Sequence, residues 1–243
     1  MQIQAYSAPA MSARSLSRRP AGFGPVGALG VAGACLIALA ALWVLAELVP
    51  SLQRQDAALL HDFTLLSQPG IDEVALFLLR LLNPLLFILW AIALVAVALA
   101  RERPRVAAAV AAILALAPFT TETLKPIAAH PHVQIGLVHI GAASWPSGHS
   151  TAASILVLCA VLVTPRRLRP LVGVVGVLFV LAVSCALLML AWHMPSDVLG
   201  GYFVSTLWAA LAVAALGALE RRWPSRRRAR LAGQGETPSA QEL

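Results

Sequence analysis

A chain of 243 residues that is 59% hydrophobic and only 12% charged has too few polar groups to cover a soluble domain and too much apolar content to stay disordered. Its net charge of +7 does not mark a nucleic-acid binder, because the arginines are spread over short stretches beside apolar runs and lack interleaved aromatics. Orientation in a bilayer and attraction to anionic headgroups account for that charge, so the composition points to a polytopic membrane protein with the lipid bilayer, not nucleic acid, as its partner.

Residues 1–24 form a basic segment carrying Arg14, Arg18 and Arg19. The apolar run that follows, 25–49, is longer than a signal-peptide core and has no small-residue cleavage site after it, which predicts an uncleaved first helix. Ser17-Arg18-Arg19 reads as juxtamembrane charge in preference to a twin-arginine export signal. Further spans fall at 74–100, 105–124, 149–164, 170–192 and 198–219, each near the roughly 20 apolar residues that a bilayer core demands of a helix. The fold class is therefore all-α, a six-helix transmembrane bundle over 25–219 followed by a basic tail at 220–243. The span at 149–164 is short, which puts its polar first turn at the interface or in a cavity wall. In the second span Asn83-Pro84 is expected to bend the helix near Arg80. Cys35, Cys159 and Cys185 all fall in apolar spans, so no disulfide framework is implied. No internal repeat or separate soluble domain is visible.

An even number of spans puts both termini and the second and fourth loops on one side. All but three of the 18 basic residues lie there: Arg14, Arg18 and Arg19, then Arg101, Arg103 and Arg105, then Arg166, Arg167 and Arg169, and six more between Arg221 and Arg230. The positive-inside rule makes this side cytoplasmic, in a cell inner (plasma) membrane. The exceptions are Arg54, Arg80 and Lys125, the chain's one lysine. The six histidines fall in or beside the opposite, extracytoplasmic loops.

Three clusters stand at those outer helix ends. Lys125 is expected to close the third helix, because Pro126 disfavours a helical conformation at the residue before it. In Pro146-Ser147-Gly148-His149 the proline suits a first helical turn, and Ser147 and Gly148 let backbone N–H groups approach an anion at a helix start. His193 precedes another proline-marked helix start, with Asp197 four residues on; a carboxylate that accepts from one imidazole nitrogen makes the other a better nucleophile or base. A cation, an amide nest, two histidines and a carboxylate are what phosphoryl transfer through a histidine requires. His130 and His132 with His149, or His193 with Asp197, also suit zinc in type, though no second shell is visible in the sequence and no metal is expected.

These clusters resemble the type 2 phosphatidic acid phosphatase family, also called PAP2 or the acid phosphatase–haloperoxidase superfamily, whose motifs run Lys-x6-Arg-Pro, Pro-Ser-Gly-His and Ser-Arg-x5-His-x3-Asp. The second motif is intact at 146–149 and the end of the third at 193–197. By resemblance His193 is the nucleophile, Asp197 orients it, His149 protonates the leaving oxygen, and Lys125 with the Ser147 and Gly148 region holds the phosphate. Relatives of this kind use no metal or other cofactor and act on lipid phosphates. Two departures stand out. His132 replaces the arginine of the first motif, and Ala186-Leu187 replaces the Ser-Arg pair of the third, so both permanently charged forks that would grip phosphate are gone. Two readings of Arg80 stay open: snorkelling to the outer interface, or reaching the pocket in place of a missing arginine.

The expected activity is therefore removal of phosphate from a lipid phosphate or polyprenyl pyrophosphate at the extracytoplasmic face, through a phosphohistidine. The alternatives are a phosphotransferase of the same fold or a catalytically weakened lipid-phosphate binder. A transporter is disfavoured by the absence of an inverted repeat.

Overall fold

The computed structural model describes residues 24–131 and 140–223, which form eight helices and no strands. Nearly all of the two basic terminal segments, and His132 among the expected site residues, lie outside the described residues. The helices are α1 (Pro25–Leu48), α2 (Pro50–Thr64), α3 (Pro69–Arg80), α4 (Pro84–Ala100), α5 (Pro104–Ile127), α6 (Gly148–Val163), α7 (Arg169–Met189) and α8 (Pro195–Arg222). Six of the eight begin with proline at the first helical position, and α7 has one at the second, where a missing N–H costs no internal hydrogen bond.

Four helices, α1, α5, α7 and α8, are long and apolar enough to cross a bilayer. The pair α3 and α4 passes the same test when taken together, which gives up to five spans; the expected span at 149–164 is present as the shorter apolar helix α6, and the described residues form an all-helical bundle. The expected second span is broken where its sequence foretold a bend: α3 and α4 meet at 54°. The Asn83 side chain accepts from the Leu86 N–H at 2.8 Å and Pro84 opens the next helix, so the break is capped and not frayed. Helix α2 was not expected. Its mixed sequence, with Arg54, Asp56, His61 and Asp62 among leucines and alanines, buries only Ala57 and Leu60 and packs against α1, α7 and α8.

Helix α6 sits at the centre, packed by α5, α7 and α8, with nine buried residues from Ser150 to Val163. Close approach of α6 and α8 is enforced at Gly201. A Cβ there would overlap the Ser150 hydroxyl and stand 2.8 Å from the Ser147 carbonyl oxygen and 2.9 Å from the Thr151 nitrogen. Small hydroxyls fill the seam: Ser150 Oγ donates to the Val198 carbonyl at 3.0 Å, and Ser205 Oγ to the Thr151 carbonyl at 3.0 Å. This seam sets the register of the two helices that carry the histidine motifs. At the other end of the bundle Arg103 donates to the Leu162 carbonyl and Arg105 pairs with Glu220, which gathers the starts of α5 and α7 and the ends of α6 and α8 on the arginine-rich side.

Candidate active site

Lys125 in the last turn of α5, His149 in the first turn of α6 and His193 just before α8 all stand at one end of the bundle, and all line one cavity of about 800 Å³. Gly148 and Glu122 line it too, and α4 closes the far wall with Pro84, Phe87 and Ile88. Helix α5 runs two residues beyond Lys125, through Pro126, which gives the Glu122 carbonyl no helical donor from that position but does not end the helix.

His193 is held from behind. Asp197 Oδ2 stands 3.3 Å from His193 Nδ1 and accepts the Met194 N–H at 2.9 Å, while the carboxylate as a whole is inaccessible to solvent. An acceptor on Nδ1 leaves Nε2 free of its proton, which is the state a nucleophilic imidazole needs. His149 is fixed differently: its ring meets that of Trp192 edge to face, with centroids 5.6 Å apart at 68°. Trp192 follows a Schellman-type close of α7, in which its N–H reaches the Leu187 carbonyl at 2.9 Å and Ala191 adopts a left-handed φ of 53°.

The other expected site residues divide. Lys125 faces the cavity with its Nζ 2.6 Å from Glu122 Oε1. Ser147 is fully buried and stays out of the cavity lining; its N–H donates to the Asp197 carbonyl at 2.9 Å and its hydroxyl accepts the Ser150 N–H at 3.3 Å, so it locks the two motifs together. Gly148 is left as the residue of that loop which faces the cavity. Arg80 ends α3 as an exposed side chain and is not part of the lining. Leu187, in the position where the resemblance expects arginine, is 0% exposed and belongs to the hydrophobic core. Among the described residues no three His, Cys, Asp or Glu side chains converge on a point that would hold a metal ion.

Two acids outside the motifs contact the segments that carry this geometry. Asp56 on α2 accepts both the N–H of Ser196 at 3.2 Å and its hydroxyl at 2.5 Å, capping the start of α8 one residue from Asp197. Glu47, 1% exposed near the end of α1, comes within 3.9 Å of His130 Nδ1, while Trp43 Nε1 donates to the Ala128 carbonyl at 3.0 Å. Together Trp43 and Glu47 pin the segment that follows Lys125. The signal that would have found Glu47 is simple: it is an acid at the edge of an otherwise apolar span.

Residues 77–221, more than half of the chain, match the PAP2 superfamily. The chain belongs to that superfamily. Its fold is similar to that in the "Crystal structure of the first transmembrane PAP2 type phosphatidylglycerolphosphate phosphatase from Bacillus subtilis", with a TM-score of 0.59 at 19% identity, over 84% of this chain and 98% of that one. No curated protein matches the chain in sequence. The matched stretch of the PAP2 chain holds Lys125, His149, His193 and Asp197, but begins after α1 and α2, so Glu47 and Asp56 lie outside it.

Proposed function

We propose that this PAP2 protein is a membrane phosphatase of lipid phosphates, working through a phosphohistidine on His193 at the extracytoplasmic face. The observation that carries the reading is the single cavity that unites Lys125, His149 and His193, with Asp197 buried behind the nucleophile. In the first step His193 Nε2 attacks phosphorus, the bond to the lipid oxygen breaks, and His149 gives that oxygen its proton. The lipid alcohol leaves. In the second step His149 takes a proton from water as the water oxygen attacks phosphorus; the N–P bond breaks, and inorganic phosphate and free His193 result. Lys125 and the amide groups at the start of α6 neutralise charge on the phosphoryl oxygens.

A lipid substrate is favoured by what adjoins the cavity. Phe87 and Ile88 are shared with an apolar groove of about 480 Å³ that runs between α4 and α5 past Val95, Leu99 and Leu114. A headgroup in the cavity therefore has an apolar course for its chain. The outer location rests on charge: Arg103, Arg105 and Arg169 collect at the end of the bundle opposite Lys125, His149 and His193. A weakened, lipid-phosphate-binding role has one observation in its favour: Leu187, which stands where the resemblance expects an arginine, is buried in the core.

Purified protein assayed against phosphatidic acid, phosphatidylglycerol phosphate and polyprenyl mono- and pyrophosphates tests the activity: phosphate release that persists in chelator supports it, and binding without release leaves the non-hydrolytic role. A reporter fused after Ala232 should read cytoplasmic and one placed between Ile135 and Gly141 should read outside; the opposite pattern would put the site in the cytosol.

A further inference from the structure

The cavity holds an acid that phosphoryl transfer does not ask for. Glu122 lies one turn before Lys125 on α5, their side chains pair at 2.6 Å, and both face the cavity. The pair sits at the start of α6: a Cβ built on Gly148 would lie 3.3 Å from Glu122 Oε1 and 3.7 Å from Lys125 Nζ. The carboxylate thus occupies the ground beside the helix start where an anion is expected to dock. Its side chain is 63% exposed and that of Lys125 24%, so the acid stands on the open side and the base on the inner side.

The charges that face this point come from few elements. Helix α5 gives Glu122 and Lys125, α6 gives His149, and the start of α8 gives His193 with Asp197 behind it; α4 and the residue before its break give only Leu82, Pro84, Phe87 and Ile88. Among the described lining residues Lys125 is the one permanent cation, and a carboxylate already claims it. An entering anion must displace Glu122 from Lys125 or lie beside it. Coulomb repulsion scales with the product of charges, so a dianion meets about twice the opposition a monoanion does.

Resting on the reading of this cavity as a phosphate site, we infer that Glu122 is a specificity-determining residue: it makes the pocket take a tetrahedral oxyanion bearing one negative charge in preference to a dianion. The favoured substrate class is then a lipid phosphomonoester bound as its monoanion, and a pyrophosphate is disfavoured.

Sulfate and methanesulfonate test this without titrating, because both are tetrahedral sulfur oxyanions of fixed charge near neutral pH, one double and one single. The full-length protein in detergent is treated with diethyl pyrocarbonate at constant ionic strength, and the concentration of each anion that protects His149 and His193 is read by mass spectrometry of their peptides. In the wild type sulfate should protect no better than methanesulfonate. In Glu122→Gln sulfate should gain about tenfold over methanesulfonate, while Lys125→Gln should weaken both. Glu122→Asp, which withdraws the carboxylate by one methylene, should give a smaller shift in the same direction and serves if Glu122→Gln does not fold. A sulfate-to-methanesulfonate ratio equal in wild type and variant, or a wild type that prefers sulfate to methanesulfonate, overturns the inference and leaves the phosphate site standing. Failure of either anion to protect any form overturns the phosphate site and the inference with it.

Discussion

The Ser147 N–H donates to the carbonyl oxygen of Asp197 across 2.9 Å, so the loop that opens α6 and the first turn of α8 are one hydrogen-bonded unit. Nothing nearer than the chain's tertiary fold could arrange this, because fifty residues separate the partners. Its consequence is that His149 and His193 are set relative to each other by backbone, and the side chains only complete the setting.

That unit depends on Gly201. Because a methyl group there has the Ser150 hydroxyl, the Ser147 carbonyl and the Thr151 nitrogen in its way, Gly201→Ala should push α8 off α6 and cost about 1–3 kcal/mol of stability. Its turnover should fall further than its midpoint of thermal inactivation suggests, since the displaced seam carries both histidines. Gly173→Ala, where a Cβ meets open space, is the comparison and should change neither.

Restoring the arginine that the family motif expects should not restore a phosphate fork. Leu187 is wholly enclosed in the core and is not part of the cavity wall, so Leu187→Arg buries a charge with no partner in place and should lower stability by at least about 3 kcal/mol. Denaturation in detergent, scored against Leu187→Met, measures it. A stable Leu187→Arg protein with tighter phosphate inhibition would mean that this side chain reaches the cavity after all.

Asp197→Asn keeps the shape of the buried acid and removes its charge. The amide can still accept from the Met194 N–H, so the start of α8 should survive, but it no longer stabilises the imidazolium or fixes the tautomer of His193. Turnover should drop by about 10²–10⁴-fold with little change in KM. A matching rise in KM, with kcat intact, would instead give Asp197 a part in substrate binding.

Much of this was legible before any coordinates. Hydropathy set the six spans, because a bilayer leaves a long apolar run few other places to go, and Asn83-Pro84 marked the break between α3 and α4 through backbone chemistry alone. Pro146 to His149 and His193 to Asp197 stood out by residue type and spacing, and the fold brings His149 and His193 to one cavity. Helix α2 escaped because its residues alternate between apolar and charged with no long run. A serine beside glycine at a helix start reads as an anion contact, and only the packing of α8 against α6 shows that the Ser147 N–H is bonded to the Asp197 carbonyl. Asp56 acts across the fold on Ser196, and no local pattern marks that contact; Glu47 stands out in the sequence as an acid at the edge of an apolar span, but only the fold turns it toward His130.

The most direct test of the account is whether phosphate passes through His193. Purified protein mixed with a lipid phosphate carrying radioactive phosphorus, quenched in alkali within the first turnovers and digested, should yield label on the peptide that holds His193 and none on that holding His149. His193→Ala should yield no label and no turnover. Steady phosphate release with no labelled histidine, or release by His193→Ala at the wild-type rate, would contradict it.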